Sequence, residues 1–202
     1  KQSVKSGAGV RFALNRREVL GIIGESGCGK STLGKLLVKL EEPTEGRLCF
    51  AGEEASSLYK RDPLGFRRTA QMIFQNPFDT FDPRYTIARI LKDALKLHGI
   101  GANDEERLAL CRRKMEEAGL APADDFLPRY PHELSGGQLQ RISIIRSMML
   151  EPTFIVADEP VSMLDVSVRA DIINMLAGMC AASDTAMVFI SHDILSTRYV
   201  SD

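Results

Sequence analysis

Residues 19–32 read VLGIIGESGCGKST. The opening VLGII is an apolar run stopped by glycine, the texture of a strand buried in a parallel sheet. From Lys30, KSTLGKLLVKL repeats apolar positions at helical spacing. Between strand and helix, Gly24, Gly29, Lys30 and Ser31 fit G-x-x-x-x-G-K-[ST]. The glycines let the backbone curl so that successive N–H groups face inward, and the helix start adds partial positive charge. Gly24, Glu25, Ser26, Gly27, Cys28, Gly29, Lys30, Ser31 and Thr32 are therefore expected to cradle phosphates. Lys30 supplies a cation for the outer phosphates and Ser31 a hydroxyl for Mg²⁺. This stretch specifies an α/β chain that holds a nucleoside triphosphate, and leaves open what is done with it.

Upstream, VRFAL (10–14) alternates apolar and polar residues and predicts a half-buried strand with Phe12 in the core. Downstream, EEPTEG makes a turn at Pro43 and Gly46, and RLCF (47–50) and AQMIFQ (70–75) are further strand candidates. From residue 76 the texture changes. NPFDTFDPR is turn-rich, and residues 87–98 and 104–119 read as amphipathic helices with no strand between them. A break at LPRYPHE leads into LSGGQLQR (134–141) and a further helical pattern. Residues 76–150 thus predict a helical insertion in a core formed by 1–75 and 151–202. FIVAD (154–158) returns to buried-strand texture, followed by a helix over 166–182, the strand AMVFI and SHD at its end. Strands alternating with helices predict a parallel sheet with ligands at its carboxyl edge.

The bulk numbers narrow the class. The 202 residues are 44% hydrophobic and 26% charged, ordinary for a globular chain. Lys+Arg 26 against Asp+Glu 27 gives a net charge of −1, with no electrostatic case for a nucleic-acid partner. Cys28, Cys49, Cys111 and Cys180 form no CxxC pair, which argues against zinc or a disulfide framework and for a reducing compartment. No apolar run approaches the roughly 20 residues of a membrane span.

FIVADEP ends its strand with Asp158 and Glu159, and adjacent like charges serve no folding purpose. Asp158 is expected to hold Mg²⁺, and Glu159 to take a proton from an attacking water, which favours hydrolysis over transfer. His192 and Gln75 also follow strands, so both lie at the carboxyl edge. His192 is expected to reach the outermost phosphate, and the Gln75 amide to meet Mg²⁺ or the water. In LSGGQ, Ser135, Gly136 and Gly137 open a helix with exposed N–H groups, a second anion site. Cys28, inside the first cradle, is expected to be alkylatable and protected by nucleotide.

Together these residues resemble a known family. GESGCGKS, FQNP, LSGGQ, IVADEP, SMLD and ISHD occur in the order found in ATP-binding cassette (ABC) ATPases. PTEG, FQNPFDTFDPR, RYPHELSGGQLQR and DEPVSMLDVSVRA are similar to the oligopeptide/dipeptide/nickel importer ATPases within it. The resemblance implies a P-loop NTPase fold with a parallel-sheet core, an N-terminal antiparallel β portion and an inserted α-helical subdomain. It implies ATP and Mg²⁺ as ligands, with Ser31, Gln75 and Asp158 at the metal. Glu159, His192, Gln75 and the D-loop Asp165 become catalytic, and Ser135, Gly136, Gly137 and Gln138 nucleotide-binding. The family works as a head-to-tail dimer of identical or paralogous subunits. Each nucleotide lies between the cradle of one and the signature of the other. Permease subunits dock near Gln75 and the helical part, a solute-binding protein acts indirectly, and the subunit sits on the cytoplasmic face of the membrane.

The chain departs from that pattern in three ways. No aromatic other than Phe12 precedes Gly24, so the adenine-stacking residue is unassigned. Met163 stands where the family prefers a small residue. The chain stops ten residues after His192 and is expected to be truncated at both ends. Two competing readings have signatures of their own. Soluble cassettes acting on DNA or ribosomes carry a long coiled-coil insertion or two cassettes in one chain. A non-hydrolysing regulatory module is disfavoured by the joint presence of Glu159 and His192.

Overall fold

The computed structural model describes residues 9–25 and 27–200. In chain order the elements are β1 (Val19–Ile23), α1 (Lys30–Leu37), β2 (Cys49–Phe50), β3 (Glu53–Glu54), α2 (Ala55–Arg61), α3 (Pro63–Thr69) and β4 (Ala70–Ile73). Then follow α4 (Ile87–Leu97), α5 (Asp104–Glu117), α6 (Gly136–Met148), β5 (Phe154–Asp158), α7 (Val166–Ala182), β6 (Ala186–Ser191) and α8 (Ile194–Val200). Four strands form one parallel sheet in the order β1-β6-β5-β4. Its central strands β5 and β6 are buried along their whole length, which explains why they read as unbroken apolar runs.

The register sets the site. Ile73 pairs with Ala157, Asp158 with Ile190, and Ile23 with Ser191. The turns that follow all four strands therefore leave from one edge, and they carry Gln75, Glu159, His192 and the phosphate loop. Helix α1 lies close under the sheet at Gly34. A Cβ there would meet Val156 Cγ1 at 3.0 Å and Ile190 Cδ1 at 3.1 Å. That approach carries the start of α1 to the end of β5.

Two apolar clusters cover the faces of the sheet. One contains Ile73, Ile155, Met187 and Phe189, and the other Met72, Val156, Val188 and Ile190. A third lies within the helical stretch and holds Phe81, Ile87, Leu91, Met115, Leu139 and Ile142. Helix α6 serves two of them, Ile145 facing the helical cluster and Ile144 and Met148 the sheet. Most of its length is buried, polar residues such as Gln140, Ser143 and Ser147 included. No helix among the described residues is long and apolar enough to cross a membrane.

Two expectations are corrected. Residues 10–14 form no strand, and Phe12 is 40% exposed rather than in the core. Alternation marks a half-buried strand only where a neighbour offers a ladder, and no described strand pairs with this segment. The expected antiparallel β portion is present as the β2–β3 hairpin, closed by Ala51 (φ 49°) and Gly52 (φ 85°) in a turn with both central residues at positive φ. Helices α2 and α3 have little signal in the sequence because seven residues show little periodicity. A local signal was present nonetheless: Asp62 caps α3 by accepting from the Gly65 N–H at 2.9 Å, with Pro63 at the first helical position.

Candidate nucleotide site

The phosphate loop curls as its glycines predict, with Gly27 at φ 80° and Gly29 at φ 100° capping α1. A side chain at Gly24 would put its Cβ 2.8 Å from Cys28 Sγ, so the loop closes on itself there. Lys30 is 7% exposed, and its ammonium donates to the carbonyls of Gly24 at 2.7 Å and Glu25 at 2.8 Å. Those bonds hold the cation inside the loop instead of letting it extend into solvent. The Cys28 thiol is exposed, with Sγ 4.0 Å from the Lys30 ammonium. Ser26 lies outside the described residues.

Ser31 Oγ donates to Asp158 Oδ1 at 3.1 Å, joining the start of α1 to the end of β5. Asp158 is 5% exposed. Burial pushes its carboxyl above the usual carboxylate range, the Ser31 hydrogen bond opposes that, and the neighbouring Glu159 charge adds to it. Mg²⁺ takes oxygen ligands and is held by one or two carboxylates together with substrate phosphates. A hydroxyl and a carboxylate in contact beside the loop fit that ion. Among the described residues no cluster of three or more His, Cys, Asp or Glu offers an all-protein site.

Glu159 takes a positive φ of 46°, uncommon for a residue with a Cβ, and its N–H donates to Ile190 O at 2.9 Å. The strained backbone is held by the end of β6. From there the carboxylate meets two groups on one oxygen: His192 Nδ1 at 3.0 Å and Gln75 Nε2 at 3.3 Å. A carboxylate only accepts, so the imidazole carries its proton on Nδ1 and leaves Nε2 free of this contact. Gln75 also donates to Ser162 Oγ at 3.2 Å, and Ser162 Oγ donates to Glu159 O at 3.1 Å. Gly27, Gly29, Lys30, Ser31, Thr32, Gln75, Glu159 and His192 line one open cleft of about 440 Å³.

The structure does not bring the remaining expected residues into that cleft. Ser135, Gly136, Gly137 and Gln138 lie at the start of α6, and the exposed Asp165 precedes α7. Ser135 and Gln138 form a reciprocal cap. Ser135 Oγ accepts from the Gln138 N–H at 3.3 Å, and Gln138 Oε1 accepts from the Ser135 N–H at 3.0 Å. The glycines have a partner inside the chain too, since a Cβ on Gly137 would lie 3.0 Å from Val168 Cγ1.

Sequence reasoning missed several residues that shape the site. Ser162 and Arg169 brace the turn after Glu159, Arg169 donating to Leu164 O at 2.9 Å and Ser162 O at 3.4 Å. Both lie in the quoted DEPVSMLDVSVRA, where the letters were visible but their contacts were not. Gln140 is fully buried on α6, and its amide has no partner among the described residues.

A parallel sheet with a phosphate loop after its first strand, and an acidic pair at the end of a central one, defines a P-loop NTPase. The ABC transporter family model matches residues 8–162, and the chain belongs to that family. It is 43% identical over 202 residues to a putative oligopeptide transport ATP-binding protein of Bacillus subtilis strain 168, covering 100% of this chain and 61% of that protein. The oligopeptide transport ATP-binding protein AppF of the same strain is 43% identical over 98% of this chain and 60% of its own length. The chain thus spans about three fifths of the length of these curated relatives. Among solved structures, the dimeric MJ0796, a bacterial ABC transporter cassette, aligns with a TM-score of 0.81 at 28% identity, covering 94% of this chain and 81% of that one. The same cassette in a post-hydrolysis state bound to ADP and Pi aligns equally well, with a TM-score of 0.81 at 27% identity over the same 94% and 81%.

Proposed function

We propose that the chain binds ATP in the cleft over the phosphate loop and hydrolyses it, as the ATP-binding subunit of an importer of peptides or a related small solute such as nickel. The observation that carries hydrolysis is the convergence of His192 and Gln75 on one oxygen of Glu159 above the loop. Loop N–H groups and Lys30 hold the triphosphate, Lys30 exchanging its bonds to the Gly24 and Glu25 carbonyls for phosphate oxygens. Ser31 and Asp158, in contact with each other, would hold Mg²⁺ together with Gln75, and the ion would supply positive charge to the phosphates. His192 and Gln75 fix the Glu159 carboxylate by donating to Oε2. Oε1 is then the atom that takes a proton from water, while His192 Nε2 serves the outermost phosphate.

The signature residues Ser135, Gly136, Gly137 and Gln138 lie outside their own chain's cleft, and we assign them to a nucleotide held by a second subunit, identical or paralogous, arranged head to tail. Asp165, exposed at the start of α7, belongs to the same interface. The core of 1–75 and 151–202 carries the cradle, and the helical part of 76–150 carries the signature. Permease subunits dock near Gln75 and the helical part on the cytoplasmic face of the membrane, and a solute-binding protein acts through them. The names of the relatives support a peptide as the solute. Mg²⁺-dependent phosphate release from ATP by the protein together with its permease tests this reading, and no release would contradict it.

A further inference from the structure

We propose that Arg146 is a positioning residue that fastens the loop carrying Gln75 to helix α6, so that the cleft edge and the signature helix move as one body. This rests on the reading of the cleft as an ATPase site. Arg146 lies ten residues beyond Gly136 on α6, about 15 Å along a rigid helix. Its guanidinium donates to Thr80 O at 3.4 Å and lies 5.2 Å from the centre of the Phe81 ring. Among the described residues it has no carboxylate within ion-pair distance, and burial lowers its pKa below the ordinary arginine value. A half-buried cation without an anion does not favour folding by Coulomb attraction. What it has instead is a grip on two adjacent residues, one carbonyl and one ring face.

The grip continues to the chemistry without a gap. Thr80 Oγ1 donates to Asn76 O at 3.2 Å. Asn76 Oδ1 accepts from the Phe78 N–H at 3.1 Å, and Asn76 Nδ2 donates to Asp79 Oδ2 at 2.7 Å. The loop of 76–80 is knitted by its own side chains and behaves as a unit. At its near end Gln75 donates to Glu159 and Ser162. At its far end Phe81, 5% exposed, is fixed in the helical cluster beside Ile87 and Leu91. A shift of α6 thus reaches Gln75 through Arg146, and a shift of Gln75 reaches the signature by the same path.

Arg146→Met keeps most of the stem and removes the cation and its donors, whereas Arg146→Lys keeps the charge alone. Hydrogen exchange of the nucleotide-free protein should show amides in 76–81 exchanging about tenfold faster in Arg146→Met. A smaller change is expected in Arg146→Lys, with α4 and α5 unchanged. Unaltered exchange in 76–81, or equal loosening of α4 and α5, would overturn the proposal. In turnover, Arg146→Met should lower kcat about 10- to 100-fold with KM for ATP retained. Combined with Gln75→Ala, it should add no further loss, and an additive loss would overturn the route through Gln75. A wild-type protein without turnover would defeat the ATPase reading and leave the exchange measurement to decide the role of Arg146.

Discussion

Oε2 of Glu159 lies 3.0 Å from Nδ1 of His192, although 33 residues separate the two in sequence. Parallel pairing of β5 with β6 creates this contact, because Asp158 is level with Ile190 and each strand turns out of the sheet at the same height. The contact orients both groups: the imidazole holds the carboxylate, and the carboxylate selects the tautomer. Among the described residues, removing the ring leaves the Glu159 carboxylate with Gln75 as its remaining side-chain donor. His192→Ala should lower kcat about 10- to 100-fold and change KM for ATP less, measured by steady-state phosphate release.

Ser135 caps α6 and is proposed to meet a second subunit's nucleotide, and different substitutions separate the two roles. Its hydroxyl caps α6, so Ser135→Ala should cost about 1 kcal/mol in chemical denaturation. Ser135→Arg adds bulk at the face assigned to a second subunit's nucleotide. It should spare ATP binding by the single chain and abolish ATP-induced dimerisation in sedimentation. Loss of binding by the single chain would place Ser135 in its own site instead.

Gly34 is a packing glycine inside a helix. Alanine there would gain about 1 kcal/mol of helix propensity and lose about 1–3 kcal/mol by pressing on Val156 and Ile190. Gly34→Ala should therefore range from neutral to about 2 kcal/mol less stable. Gly34→Val adds two more methyls at the same contact and should be clearly worse, as read from denaturation midpoints.

The four thiols should divide by burial. Cys28 and Cys49 are exposed, whereas burial pushes Cys111 up to about 11 and Cys180 up to about 12, from an ordinary value of 9.0. A pKa raised by folding means that the folded chain favours the neutral thiol. That contribution is complete below about pH 9 and fades as pH rises through the folded values. At pH 8 the native protein should show two reactive thiols by Ellman titration, and four in denaturant. Mg-ATP should slow labelling of Cys28 and leave Cys49 unaffected. Equal labelling of Cys28 with and without nucleotide would remove the thiol from the cradle.

Much of the fold was legible because its signals are local. The strand–loop–helix at 19–32 and the apolar runs of β5 and β6 are contiguous, and each reports its own burial. The helix starting at Asp104 carries Asn103 as a cap and three acidic residues in its first turn. What the letters hid is what depends on pairing across the chain. The alternation of 10–14 promised a strand whose ladder is not among the described elements. The reciprocal cap of Ser135 and Gln138 is readable in S-x-x-Q, a pattern that overlaps the glycines of the anion site. Arg146 carried no signal, since an arginine in a helical pattern reads as surface, whereas here it meets Thr80 and Phe81.

The most direct measurement is Glu159→Gln, followed in one sample by ATP binding, phosphate release and subunit association. The substituted amide keeps the shape of the side chain and cannot accept the water's proton. Binding should persist, an ATP-dependent dimer should accumulate, and turnover should fall about 10²- to 10⁴-fold. Turnover equal to wild type would contradict the assignment of Glu159 as the base and, with it, the chemistry proposed for the cleft.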